Sequence, residues 1–197
     1  MPDCSVDKDA PVAGEEIPLR ADARRNLLRV LNAASELFSS EGGAVSMEAI
    51  AQHAGVGVGT IYRRFPTKAA LGEAVLLDHF GEVYAQVRAA AEASTPDEAF
   101  SNALNALVVG ASSRIDLKES LSAVGVEIYQ AAAPVLDQIR NYLETLLTRA
   151  QKAGVIRLDV TIDDIVGLVS GACMAGTEID GPSPLRLFAL IADGLRV

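Results

Sequence analysis

The chain contains no tryptophan and only five phenylalanines, four tyrosines, two histidines and two cysteines in 197 residues. Cys4 sits in a polar tail and Cys173 in an apolar run, so neither a disulfide framework nor a metal-knuckle spacing exists. His53 and His79 fall in separate segments without a clustered Cys or carboxylate, which argues against a metal. Nothing approaches the roughly 20 uninterrupted apolar residues of a membrane span. The first eighteen residues (MPDCSVDKDAPVAGEEIP) are acidic where a signal peptide would be basic and then apolar. These absences lead us to expect a soluble, cytoplasmic protein with no membrane partner. Base is also scarce: 17 Lys and Arg face 26 Asp and Glu, a net charge of -9. Averaged over the chain, that balance opposes nucleic-acid binding.

The average conceals an uneven distribution. Residues 1–19 carry Asp3, Asp7, Asp9, Glu15 and Glu16 against Lys8, with three prolines and no hydrophobic period, and read as a disordered acidic arm. Residues 20–70 carry Arg20, Arg24, Arg25, Arg29, Arg63, Arg64 and Lys68 against four acids, a net charge of +3. The remainder is acidic, at -8. One end of the molecule is therefore basic and the rest repels phosphate.

What the chain has in quantity is helical periodicity. Leu27, Val30, Leu31, Ala34, Leu37 and Phe38 form one stripe from Ala21 to Ser40, stopped by Gly42-Gly43. Ser46 opens a short helix that Gly55 ends, a second short helix runs from about Gly57 to Phe65, and Pro66 closes it. Thr67 caps a longer helix to about residue 93. Thr95-Pro96-Asp97-Glu98 combines a cap, a proline at the first helical position and a capping-box acid. Further helices are expected over 117–130, from Pro134 to a stop at Gly154, from Thr161 to about Gly176, and from Ser183-Pro184 onward. No segment reads as a paired strand. The expected class is all-α, with about nine helices in a head over 20–67 and a body over 68–197.

Two short helices joined at Gly55 and preceded by a longer one make the three-helix form of a helix-turn-helix. Ala51 is small where the helices would cross, and Ile50, Val56, Ile61 and Phe65 are spaced to build a miniature core. Burying those positions leaves Val58, Gly59, Tyr62 and Arg63 on the outer face, the one that would enter a major groove. The glycines of Gly55-Val56-Gly57-Val58-Gly59-Thr60 do not make a nucleotide loop, because a P-loop needs Gly-Lys-Ser/Thr and a dinucleotide fold needs a preceding strand. Lys68 is unusual, since a cation in the first turn of a helix opposes the macrodipole. A phosphate lying over that helix start would remove the conflict.

These residues resemble the TetR family of bacterial transcriptional regulators. The likeness rests on Ile50-Ala51, Ala54-Gly55-Val56, Gly59-Thr60-Ile61-Tyr62, Phe65 and Lys68-Ala69-Ala70-Leu71, each at the family's spacing, over about residues 22–73. It implies a helix-turn-helix proper at 46–65. Thr60, Tyr62, Arg64 and Lys68 match phosphate-holding positions, and Val58, Gly59 and Arg63 match positions facing base edges. Ser46 and Gly57, at the two helix starts, complete the DNA-contacting set. Gly57 stands where the family often has a capping serine, and Arg64 where relatives often have histidine.

The resemblance further implies a body that binds a small molecule and a dimer built from the last two helices. Candidate ligand residues are Phe80, Tyr84, Leu104, Val108, Tyr129, Cys173 and Met174, which combine apolar bulk with a few polar tips. The helix over 161–176 carries Gly167, Ser170, Gly171, Ala172, Ala175 and Gly176, small residues that permit close helix approach at a cost in helix propensity. The last helix, with Leu185, Leu187, Phe188, Leu190, Ile191 and Leu195, is apolar around too much of its circumference to face water. Gly167, Gly171, Leu187, Phe188, Ile191 and Leu195 are therefore the expected dimer seam, the alternative being that both helices are buried within one subunit.

The function expected is a dimeric repressor that binds a palindromic DNA operator and is released by a small-molecule effector. The alternative is a helical small-molecule-binding protein with weak or lost DNA binding. No Ser/His/Asp or paired-carboxylate arrangement supports an enzyme, and no cofactor is implied.

Overall fold

A computed structural model describes residues 16–92, 95–113, 115–175 and 183–197. Nine α-helices lie among them: α1 (Glu16–Glu41), α2 (Met47–Ala54), α3 (Val58–Arg64), α4 (Lys68–Ala90), α5 (Pro96–Ser112), α6 (Ile115–Ala123), α7 (Ile128–Lys152), α8 (Ile162–Ala175) and α9 (Pro184–Leu195). The all-α expectation holds. Among the described residues the one strand-like feature is an isolated antiparallel bridge between Ile156 and Arg196. It pins the end of α9 to the loop after α7, with the Arg157 N–H donating to the Leu195 carbonyl at 3.0 Å. No described helix is long and apolar enough to cross a membrane.

Several boundaries follow the expected capping chemistry. The Ser46, Thr67 and Thr95 side chains accept from the N–H groups of Ala49, Ala70 and Glu98. Thr161 and Asp164 form a reciprocal box, the Asp164 N–H donating to Thr161 Oγ1 at 3.2 Å and the Thr161 N–H to Asp164 Oδ2 at 2.8 Å. The Thr161 hydroxyl donating to Asp164 Oδ2 at 2.7 Å, joined by the Thr161 N–H, holds the Asp164 carboxyl below the usual aspartate range.

Three expectations are corrected. Most of the acidic arm, residues 1–15, lies outside the described residues, but α1 already starts at Glu16 rather than Ala21. Pro18 falls in its first turn, where a missing N–H costs nothing. The helix expected over 117–130 ends at Ala123, because Gly125 takes a φ of 89° and turns the chain. Pro134 does not open α7; it lies inside a helix that begins at Ile128. The bond Pro134 forfeits is the one to the Gln130 carbonyl, and both residues are exposed, so water can take that acceptor. The helix expected from Thr161 to about Gly176 is described as α8 up to Ala175, Gly176 itself lying outside the described residues.

Two apolar clusters meet along α4. Its first half contributes Leu71, Val75, Leu76 and Phe80 to a cluster with Val30, Phe38, Ile50 and Ile61 of the head, and with Leu117 and Leu121 of α6. Its second half contributes Val83 and Val87 to a cluster with Phe100 and Leu104 of α5, Leu143 and Leu146 of α7, Ile165 of α8 and Phe188 of α9. The head core is thus continuous with the body, and the division at 67/68 cuts the chain without cutting the packing.

The α4–α5 crossing depends on Gly110. A Cβ built there would lie 2.7 Å from Val83 Cγ2 and 2.8 Å from Cγ1, both on a stiff β-branched side chain. Overpacking of this kind costs about 1 to 3 kcal/mol, against about 1 kcal/mol that alanine gains over glycine in a helix. Gly110→Ala should therefore lower stability by about 1 kcal/mol, and by no more than about 2 kcal/mol, in urea unfolding. In a double-mutant cycle Val83→Ala should recover part of that loss, and additive effects would show that the two residues do not clash.

Candidate nucleic-acid interface and body cavity

The turn between α2 and α3 forms as its residues dictate. Gly55 adopts a left-handed conformation with a φ of 65°, and the Val56 N–H donates back to the Ala51 carbonyl at 3.0 Å. Ile50, Ala51, Ile61 and Phe65 are buried, and Val56 is half-buried against them. The register leaves Val58, Gly59, Thr60, Tyr62, Arg63 and Arg64 exposed. Among the exposed large apolar side chains are Val58 and Tyr62, on the face a major groove would meet. Gly57 caps α3 without a side-chain bond, as expected of a glycine. A Cβ at Gly59 would meet nothing within 4 Å, so its bareness leaves room for something outside the chain.

The polar groups of this face already have internal partners. Arg63 donates to Thr60 Oγ1 at 3.1 Å, and the Tyr62 hydroxyl lies 3.5 Å from Glu48 Oε1. The Arg64 guanidinium carbon sits 5.9 Å from the Phe65 ring centroid, over a cleft bordered by Asn26 and Leu27 of α1. The Ser46 hydroxyl accepts from Ala49 and keeps its own proton to donate. His53 Nε2 contacts Glu36 Oε2 at 2.9 Å, bracing α2 on α1.

Lys68 has a role the sequence reading missed. Its ammonium donates to the carbonyls of Gly43 at 2.7 Å and Val45 at 3.0 Å, in the loop after α1. The cation at the start of α4 is thus explained by carbonyls that need a donor, and an ammonium has three protons, so one remains for a phosphate.

The seven candidate ligand residues do not converge on one place. Phe80, Tyr129, Cys173 and Met174 line a common cavity of about 270 Å³ between α4, α5, α6, α7 and α8, together with Ala111, Lys118, Ile128, Leu136, Val169 and Ser170. Tyr129 stands at its rim, 83% exposed. Leu104 instead borders a cavity of about 200 Å³ between α5 and α9. Val108 is fully buried core, and Tyr84 packs edge-on against Tyr142. Helical periodicity shows which positions are apolar; it cannot distinguish a cavity wall from a filled core.

Lys118 is the residue sequence reasoning overlooked here. It is half-buried, its ammonium contacts the Ala111 carbonyl and lies 5.7 Å from the Phe80 ring centroid, and burial lowers its pKa from the ordinary lysine value. Burial likewise pushes the Cys173 thiol up, so the thiol stays protonated at neutral pH. No group of three or more His, Cys, Asp or Glu able to hold a metal occurs among the described residues.

The expected dimer residues divide. Phe188 and Leu195 are 1% and 7% exposed, in the core of their own subunit, and so leave the seam. Leu187 is half-buried, and Ile191 is half-buried against that core. Gly167 and Gly171 are exposed, and a Cβ on either would meet nothing within 4 Å. Beside them in the last two helices, Val166, Leu185 and Leu190 are also exposed.

Residues 30–75 match the family model described as bacterial regulatory proteins of the tetR family, and residues 95–197 match the one described as the SbtR-like transcriptional regulator C-terminal domain. The chain is 31% identical over 156 residues to the HTH-type transcriptional repressor KstR of Mycobacterium tuberculosis, covering 78% of this chain and 70% of that one. A TetR transcription regulatory protein from Mycobacterium vanbaalenii superposes with a TM-score of 0.71 at 37% identity, covering 91% of this chain and all of the other. The TetR regulator SCO0520 from Streptomyces coelicolor does so with a TM-score of 0.67 at 31% identity, over 86% and 98%.

The Lys68 bonds separate two roles by experiment. Lys68→Met should lower stability without DNA by about 1 to 2 kcal/mol, the scale of charge-assisted hydrogen bonds left unmade, read from the urea midpoint. An unchanged midpoint would restrict Lys68 to phosphate contact alone.

Proposed function

Because the chain belongs to the TetR family of transcriptional regulators, we propose that it is a cytoplasmic dimeric repressor that holds a near-palindromic operator and lets go when a small molecule enters the body. The observation that carries the DNA-binding part is the exposed face of α3. Val58, Gly59 and Arg63 stand free of the head core on a helix that the left-handed Gly55 sets against α2. Arg63 reads a guanine through its O6 and N7, a contact worth about 1 to 3 kcal/mol of discrimination. Val58 meets a thymine methyl. Ser46, Thr60, Tyr62, Arg64 and the third proton of Lys68 hold phosphates, which fix register without carrying sequence.

Two subunits joined through the exposed α8–α9 surface around Gly167, Gly171, Leu187 and Ile191 present two such helices. Half-sites then lie about 34 to 36 Å apart or somewhat more. The effector acts through α4, because Phe80 lines the body cavity while belonging to the head cluster. Release requires that the ligand bind one dimer geometry better than the other, since equal affinity shifts nothing.

Selection on random duplexes should return a palindromic site. Arg63→Ala should cost roughly tenfold or more on that site and relax preference at one base pair of each half-site. Arg64→Ala should weaken all sequences alike and reduce the salt slope by about one. DNA binding unaffected by Arg63→Ala combined with Tyr62→Phe would overturn this interface. Independently, Gly171→Glu combined with Leu190→Glu should yield monomers in analytical ultracentrifugation with the helical content retained, and an unchanged dimer would move the seam elsewhere.

A further inference from the structure

Building on the reading of the body as an effector domain, we propose that the cavity between α4, α5, α6, α7 and α8 takes an apolar monocarboxylate whose head group is held by the Lys118 ammonium. The argument starts from an imbalance in the wall. Phe80, Ile128, Leu136 and Val169 make most of it apolar, and Lys118 is the one charged residue among the described residues that line it. Among the described residues the Lys118 ammonium has the Ala111 carbonyl and the Phe80 ring face as partners, and it belongs to no ion pair. The acids beside it on α6, Asp116 and Glu119, are exposed and make no ion pair with it. An ammonium offers three donors, and the Ala111 carbonyl takes one.

This imbalance discriminates between ligand classes. A neutral apolar molecule filling the cavity would strip the remaining water from the ammonium and return nothing for it. A cation would be repelled. A strongly hydrated dianion would satisfy the charge while leaving the apolar walls unused. A carboxylate joined to an apolar body meets both requirements, forming a charge-assisted hydrogen bond at one end and burying hydrocarbon at the other. Cys173 supplies no competing negative charge, since burial keeps its thiol protonated. The cavity, at about 270 Å³, lies near the lower end of small-molecule sites, so the apolar body is a medium-length chain or a single ring.

The test uses the full chain and straight-chain acids from hexanoate to dodecanoate with phenylpropanoate, each paired with its primary alcohol, followed by titration calorimetry. At least one acid should bind at one per subunit and about tenfold or more tighter than its alcohol, the scale of a hydrogen bond to a charged group. Lys118→Met should bring acid and alcohol to parity, and Lys118→Arg should keep the preference. Far-ultraviolet circular dichroism checks that both variants fold; should Lys118→Met unfold, Lys118→Gln takes its place. Equal affinity of acid and alcohol in every pair, or acid binding untouched by loss of the ammonium, would overturn the proposal. A gel shift on the selected operator separates the two readings. Lys118-dependent binding that leaves the DNA complex intact would sink effector release while upholding the site, and absent acid binding beside intact operator binding would sink the site alone.

Discussion

The contact of Gly110 with Val83 sets how closely α5 lies on α4, and α4 is the element on which both halves of the molecule depend. A similar approach occurs nearer the head, where a Cβ on Gly72 would come within 2.9 Å of Leu121 Cδ2 and 3.0 Å of Val126 Cγ2. Glycine at these two positions removes the side chain that would hold the helices apart. Close-packed interiors respond to displacement by switching between arrangements more readily than by stretching. In the proposed effector release, a helix gripped this tightly at both ends would carry a shift at Phe80 toward Lys68 as a body.

In the head, the side chains proposed to meet DNA also hold the fold together. Lys68 closes the loop after α1, Ser46 caps α2, Arg63 leans on Thr60 and Tyr62 approaches Glu48. DNA binding therefore exchanges some internal hydrogen bonds for external ones, and the net gain per group is smaller than a count of phosphate contacts suggests. Arg63 is the clearest case, because the guanidinium that would fork onto guanine must leave the Thr60 hydroxyl. Affinity then depends on making many contacts together, which favours two heads on one operator over one head on any duplex.

Local signals were legible in the sequence and tertiary ones were not. The caps at Ser46, Thr67, Thr95 and Thr161, the turn at Gly55 and the miniature core of the helix-turn-helix follow from neighbours within a few residues. Pro134 misled because a proline starts a helix and interrupts one with the same local pattern; exposure of Gln130 and Pro134 decides between them. Phe188 and Leu195 misled because an apolar helix that must be buried can be buried by its own subunit or by another. Lys118 was passed over because a lone lysine on a helix normally faces water, and its position between Phe80 and Ala111 arises only when α4, α5 and α6 pack together.

Charge closes the account at two length scales. The net -9 comprises a basic head of +3 and an acidic remainder, so phosphate is drawn to one end of the molecule and pushed from the other. The same acidity faces any anion approaching the body, but exposed charges are screened over about 8 to 10 Å at physiological salt. Within the cavity the distances are shorter and the surroundings less polar, so Lys118 outweighs the diffuse field around it. A strongly hydrated anion keeps its water and feels mainly the repulsion outside. An anion with an apolar body gives up less hydration and gains the walls of the cavity, so the acidic exterior and the half-buried cation both favour the proposed ligand class.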